Sequence, residues 1–143
     1  MLSDAIWTDF DGDGQTDLIA VGEWMPITIF QNKNGKFVQN SSLNPQNSNG
    51  WWNSIAAADL DQDCDQDYII GNLGLNYKYK TNTEKPFQVH YGDLDKNGAN
   101  DIVLGYYEGD QLFPLRGREC SSQQMPTIKK KFASYDAFSK APL

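Results

Sequence analysis

Residues 7–21 read WTDFDGDGQTDLIAV. Four aspartates, Asp9, Asp11, Asp13 and Asp17, fall within this stretch, with Gly12 and Gly14 between them. Like charges at this density repel one another, so a metal ion, proton chemistry or a fully solvated turn has to account for them. The stretch recurs. Residues 59–68 read DLDQDCDQDY and residues 93–102 read DLDKNGANDI. All three copies follow D-x-D-x-[DN]-[GC]-x-x-D and then an apolar residue. Positions 1, 3, 5 and 9 stay in register throughout, which marks an internal repeat.

The flanks repeat as well. AIWT, NSIAAA and FQVHYG precede the three loops, and DLIAVG, DYIIGN and DIVLGY follow them. Val, Ile, Tyr and Phe favour strands, so each loop reads as the turn of an antiparallel hairpin. After the first loop, PITIFQ (residues 26–31) predicts a third strand, NKNG a turn, and KFVQ (residues 36–39) a fourth strand. Four short antiparallel strands per unit is the anatomy of a β-propeller blade. Candidate units span residues 4–39, 51–80 and 86–116, with NSSLNPQNSNG (residues 40–50) as a polar linker. Residues 117–143 change character. Met125, Ile128, Phe132, Tyr135 and Phe138 recur at helical spacing. Ser121 and Gln124 predict a capping box, and Pro126 and Ser134 predict a split into two short helices. The fold class is all-β: a partial propeller of about three blades with a helical C-terminal segment.

Hard oxygen donors at alternating positions suit calcium, which takes six to eight oxygens in loose geometry. Asp9, Asp11 and Asp13, with Asp17 closing from the next strand, form the first candidate set. Asp59, Asp61, Asp63 and Asp67 form the second, and Asp93, Asp95, Asn97 and Asp101 the third. Position 7 offers a backbone carbonyl, which explains why Gln15, Asp65 and Ala99 have no side-chain chemistry in common. Magnesium demands stricter octahedral geometry, and zinc would want His or Cys, of which the loops hold only Cys64. The loops contain twelve of the nineteen acidic residues, so two or three calcium ions would cancel much of the net charge of −7. Glycine at position 6 permits a sharp turn. Cys64 stands there in loop two and is predicted to take a positive φ at a cost, with the extra carboxylate of Asp65 as partial electrostatic compensation. Asn97 leaves loop three one charge short, which predicts weaker binding there. EF-hands and dockerins use a similar pattern, but they place a helix after the loop and a glutamate at position 12. Here position 12 is Ala20, Ile70 and Leu104, and strands follow.

Bulk properties exclude several classes. A chain of 143 residues with net charge −7 lacks the basic face that nucleic acid requires. No apolar run approaches the roughly 18 residues that span a bilayer. MLSDAIWTDF has neither the basic start nor the apolar stretch of a signal peptide, as expected for a mature or excised piece or a cytoplasmic protein. Cys64 and Cys120 fit one disulfide or two free thiols equally well.

The strand, DxDGDGxxDL, strand unit resembles the FG-GAP-like (VCBS-type) repeat of integrin α-chain propellers and many bacterial surface proteins. The longer stretches VGEWMPITIF, GWWNSIAAADLDQDCDQDYIIGNLGLN and GRECSSQQMP are similar to bacterial proteins of the cartilage-acidic-protein type, which often bear an ASPIC-type C-terminal region. The resemblance implies a calcium-stabilised propeller, usually exported to the periplasm, the cell surface or the extracellular space. It also implies that the aspartates and Asn97 of the three loops are ligands; Cys64 departs from the pattern's glycine. About three blades cannot close a ring. The chain is therefore expected to be part of a longer protein or to self-associate through open edges.

No catalytic constellation stands out. His90 shares a strand face with Gln88 and reads as structural or solvent-facing, and nothing nearby pairs Cys120 with a base. Trp24, Trp51 and Trp52 read as packing residues, while NLGLNYKYK (residues 72–80), with Tyr77 and Tyr79, reads as a recognition loop. Two functions fit. One is a non-enzymatic calcium-binding propeller region for adhesion, scaffolding or recognition of a protein or carbohydrate ligand. The other is an accessory region of a larger polysaccharide-active enzyme.

Overall fold

The structure is a computed structural model that describes residues 1–143. Two compact units divide the chain, Met1–Tyr77 and Lys78–Leu143. Both are built from antiparallel strands, and the fold is mostly β.

The first unit begins with a meander of β1 (Leu2–Thr8), β2 (Asp17–Met25), β3 (Thr28–Lys33) and β4 (Lys36–Gln39). Loop one is the β1–β2 turn. The β3–β4 turn runs through Asn34 and Gly35, both at positive φ (56° and 84°), as expected of an Asn-Gly hairpin. β2 is long enough to serve two neighbours on one edge. Leu18–Ala20 pair with β3, whereas Glu23 and Met25 pair with β5 (Gly50–Ala58). The change comes at Trp24, where φ is 61° and the register shifts. This is a bulge that redirects the strand. β5 then pairs with β6 (Asp67–Asn72) across loop two.

Alternation along these strands makes the core. Ile6, Ile19 and Ile29 lie opposite one another across β1, β2 and β3, and Ile55 lies opposite Ile70 across β5 and β6. Ile19, Val21, Ile27, Ile29 and Ile55 are buried together, with Phe10, Leu43, Trp52 and Tyr68 packed around them. Burying each such side chain contributes about 1.5–3 kcal/mol. Gly22 lies against the Met1 backbone, and a Cβ there would collide with the Met1 carbonyl oxygen.

The second unit holds β7 (Gln88–Gly92), β8 (Asp101–Glu108) and β9 (Gln111–Pro114), with loop three between β7 and β8. Helices α1 (Arg118–Gln124), α2 (Thr127–Lys131) and α3 (Tyr135–Ser139) follow. The three repeats thus have four, two and three strands, because residues 73–87 form none. The helical segment departs from its expected division. It forms three helices, and the first starts before Ser121. Met125, held extended by the following proline, ends α1. The capping box does not form. Ser121 is buried inside α1 and its Oγ donates to the Arg116 carbonyl at 3.1 Å, while Gly117 caps the helix without a side chain. Ser134 does cap α3, accepting from Ala137 N. Nor do the apolar residues form one stripe, since Phe138 is 8% exposed and Tyr135 64%.

Candidate metal-binding loops

The three loops share three hydrogen bonds. The position 1 carboxylate accepts from the position 6 amide: Asp9 from Gly14 (2.9 Å), Asp59 from Cys64 (3.2 Å) and Asp93 from Gly98 (3.0 Å). The position 5 side chain accepts from the position 7 amide: Asp13 from Gln15 (2.8 Å), Asp63 from Asp65 (3.1 Å) and Asn97 from Ala99 (2.8 Å). The position 9 carboxylate reaches back across the loop to the position 2 amide. Asp17 takes Phe10 N at 3.2 Å, Asp67 takes Leu60 N at 2.9 Å and Asp101 takes Leu94 N at 3.0 Å. Short acidic side chains are suited to this, because they satisfy nearby amides that a tight turn leaves without backbone partners.

Position 6 is left-handed in every loop, with φ of 83° at Gly14, 75° at Cys64 and 89° at Gly98. Cys64 therefore adopts the glycine conformation, as its place in the motif predicts. Position 4 is left-handed too, at Gly12, Gln62 and Lys96. Sequence comparison did not reveal this, because those three residues share no chemistry.

In each loop three carboxylates converge. One oxygen from each of Asp9, Asp11 and Asp13 lies within 4.8 Å of the other two. The same holds for Asp59, Asp61 and Asp67, and for Asp93, Asp95 and Asp101. Oxygens that share a calcium at 2.3–2.6 Å lie at most about 5 Å apart, so the spacing suits that ion. Asp17 and Asp63 stand outside these triads, and in loop three the Asn97 amide oxygen accepts from Ala99 N.

The remaining position 7 residues have other partners. Gln15 donates from Nε2 to Asp13 Oδ2 at 3.0 Å and accepts from Asn34 N at 3.3 Å, which ties loop one to the β3–β4 turn. Asp65 is outside the converging triad and lies next to Asp63, whose negative charge holds its carboxyl above the usual value. Neighbouring elements support loop one further. Gln31 Nε2 donates to Asp11 Oδ2 at 2.7 Å and Asn32 N to Asp17 Oδ1 at 2.7 Å. Both residues lie in β3, far from the motif in sequence.

Burial separates the loops. Asp17 and Asp101 are 1% and 2% exposed, whereas Asp67 is half-buried. In loop three Asp95 Oδ1 is shut away from solvent with no hydrogen-bond donor. A buried carboxylate oxygen without a partner is costly, and a cation supplies the missing charge. The donor set and this orphaned oxygen fit a hard divalent ion.

Residues 9–70 match the FG-GAP-like repeat. The match starts at position 1 of loop one and runs through loop two. The matched residues thus cover loop one, β2 to β5, loop two and most of β6. Loop three lies beyond the match but has the three shared hydrogen bonds. No curated protein and no solved structure matches the chain.

Cys64 and Cys120 are free and exposed. His90 lies opposite Val103 on β7 and β8, half-buried. Trp24 stacks near Trp51 with ring centres 5.2 Å apart, and Trp52 Nε1 donates to the Ser48 carbonyl at 2.8 Å. Of the two tyrosines in residues 72–80, Tyr79 packs on Phe87 and Tyr106, at 6.0 and 4.5 Å, while Tyr77 is 39% exposed.

Proposed function

We infer that this chain is a non-enzymatic, calcium-binding segment of a β-propeller that acts outside the cell in adhesion or ligand recognition. The observation that carries the calcium assignment is Asp95 Oδ1, buried without a donor among three converging carboxylates. Asp9, Asp11 and Asp13 would hold an ion in loop one, Asp59, Asp61 and Asp67 in loop two, and Asp93, Asp95 and Asp101 in loop three. The ion's contribution would be structural, neutralising each loop and locking the hairpin it closes. The four-strand meander β1–β4 supports the blade reading, and the FG-GAP-like repeat, a repeat often involved in binding or adhesion, supports the recognition role. Largely exposed ligands suit the weak sites of extracellular modules, which fill at millimolar calcium. No helix is long and apolar enough to cross a membrane.

Calcium titration of metal-free protein, with thermal unfolding in calcium, magnesium and chelator, tests the assignment. Two or three bound calcium ions are expected. At a hundredfold excess over Kd, one site stabilises by about 2.7 kcal/mol, or roughly 10 °C in Tm. Absence of both bound calcium and a calcium-specific shift would overturn the reading.

A further inference from the structure

The position 9 aspartate has two oxygens, and the loops differ in what meets the second. Oδ2 takes an amide of its own loop in all three. Oδ1 of Asp17 takes Asn32 N from the adjoining strand β3 at 2.7 Å. Oδ1 of Asp101 has no such strand beside it. β9 pairs with Gly105–Glu108 alone, and Leu115 N adds one bond to the Leu104 carbonyl at 2.7 Å before the chain turns away. The half of β8 nearest loop three is left without a strand neighbour on that edge, and α1 takes the place.

Gln124, the last residue of α1, stands in for the missing strand. Its Nε2 donates to Asp101 Oδ1 at 3.2 Å and to the Ile102 carbonyl at 3.3 Å. The Ile102 carbonyl is a group that another strand would have used. Arg116 Nη1 lies 3.4 Å from Gln124 Oε1 and orients the amide, so its N–H groups face the carboxylate. Where an outer element supplies this donor, the position 9 aspartate is almost fully buried. Where loop two has none, Asp67 is half-exposed.

We propose that Gln124 is a positioning residue that couples docking of α1 on β8 to cation binding in loop three. The proposal rests on the calcium reading given above. Gln124 holds Asp101 in the orientation in which it joins Asp93 and Asp95. Coupling of this kind is reciprocal: an ion that favours the ordered carboxylate favours the docked helix by the same factor. The C-terminal helical segment is then a calcium-responsive element rather than a passive tail.

Two measurements on the full chain test this: calcium affinity by calorimetry, and hydrogen exchange of the α1 amides with and without calcium. In the wild type, calcium is expected to slow exchange in Arg118–Gln124 by about tenfold. Gln124→Ala is expected to weaken one calcium site about tenfold, leave the others unchanged, and make α1 exchange insensitive to calcium. Gln124→Glu keeps the side chain's size but sets a carboxylate against Asp101. It is expected to weaken the same site further, an effect that a packing role would not produce. Calcium binding with equal affinity in all three proteins, or α1 exchange in the wild type that ignores calcium, overturns the coupling and leaves the calcium reading standing. Failure of the wild type to bind calcium at all overturns both. The wild-type exchange measurement decides the matter even if a variant does not fold.

Discussion

Loops two and three share a motif, two left-handed turn residues and a set of hydrogen bonds, yet Asp101 is 2% exposed and Asp67 is half-exposed. The cause lies outside the loops. In loop three the α1 helix covers the position 9 aspartate and hydrogen-bonds it, and in loop one β3 does the same. After loop two, residues 73–87 form no strand. The motif therefore makes the turn, and the next element in the chain decides how deeply the turn is seated. Two further features set loop two apart. Cys64 holds a left-handed conformation that Gly14 and Gly98 adopt at no steric cost, and Asp65 adds a charge beside Asp63.

The largest expected difference concerns the position 9 aspartates in metal-free protein. Asp101→Ala removes the acceptor for Leu94 N and the Gln124 amide in a buried place, and about 3 kcal/mol of stability should go with it. Asp67→Ala loses the bond from Leu60 N at a half-exposed site and should cost about 1 kcal/mol. Urea unfolding of the two variants side by side measures the gap. Equal losses would remove the claim that the outer element seats the loop.

A smaller effect, opposite in sign between the loops, is expected at position 6. Cys64→Gly should stabilise by about 0.5–1 kcal/mol, because glycine takes φ near 75° freely. Gly98→Ala should destabilise by about 1 kcal/mol for the mirror reason, since its φ is 89° and any Cβ is strained there even with open space around it. Thermal melts in chelator are the check. A destabilising Cys64→Gly would show that the thiol makes a contribution its exposure does not suggest.

The smallest effect concerns pH. Asp63 holds the Asp65 carboxyl above its ordinary value in the fold. For a raised carboxyl, the favourable contribution is complete below the unfolded-state value and is lost as pH rises through the folded-state value. At neutral pH the repulsion is therefore present in full. Metal-free Asp65→Asn should be slightly more stable than the wild type at pH 7, and the two should converge as pH falls through the carboxylate range. A constant difference across that range would show that the neighbouring charge is not the cause.

Much of this was legible in the residues. The three acidic loops, their register and the strands on either side follow from D-x-D-x-[DN]-[GC]-x-x-D between β-branched runs, because both signals are local. KFVQ was readable as β4 to the residue, since Asn34–Gly35 fixes the hairpin. The left-handed position 4 was not, because Gly12, Gln62 and Lys96 look unrelated and the turn, not the side chain, imposes the conformation. Nor were the helix limits, because Ser121 has the chemistry of a cap and is used instead inside α1, bonding the Arg116 carbonyl.

Local chemistry, then, was enough to say that three turns would gather carboxylates, since residues within nine positions meet whatever the rest of the chain does. What covers each turn was a different kind of question. Asn32 lies fifteen residues beyond Asp17, and Gln124 twenty-three beyond Asp101. Neither belongs to the nine-residue loop motif. Their contacts depend on where β3 runs beside β2 and where β9 stops short along β8, and strand length and packing over the whole unit settle that. The carboxylates come from the motif, and the depth at which each is held comes from the fold.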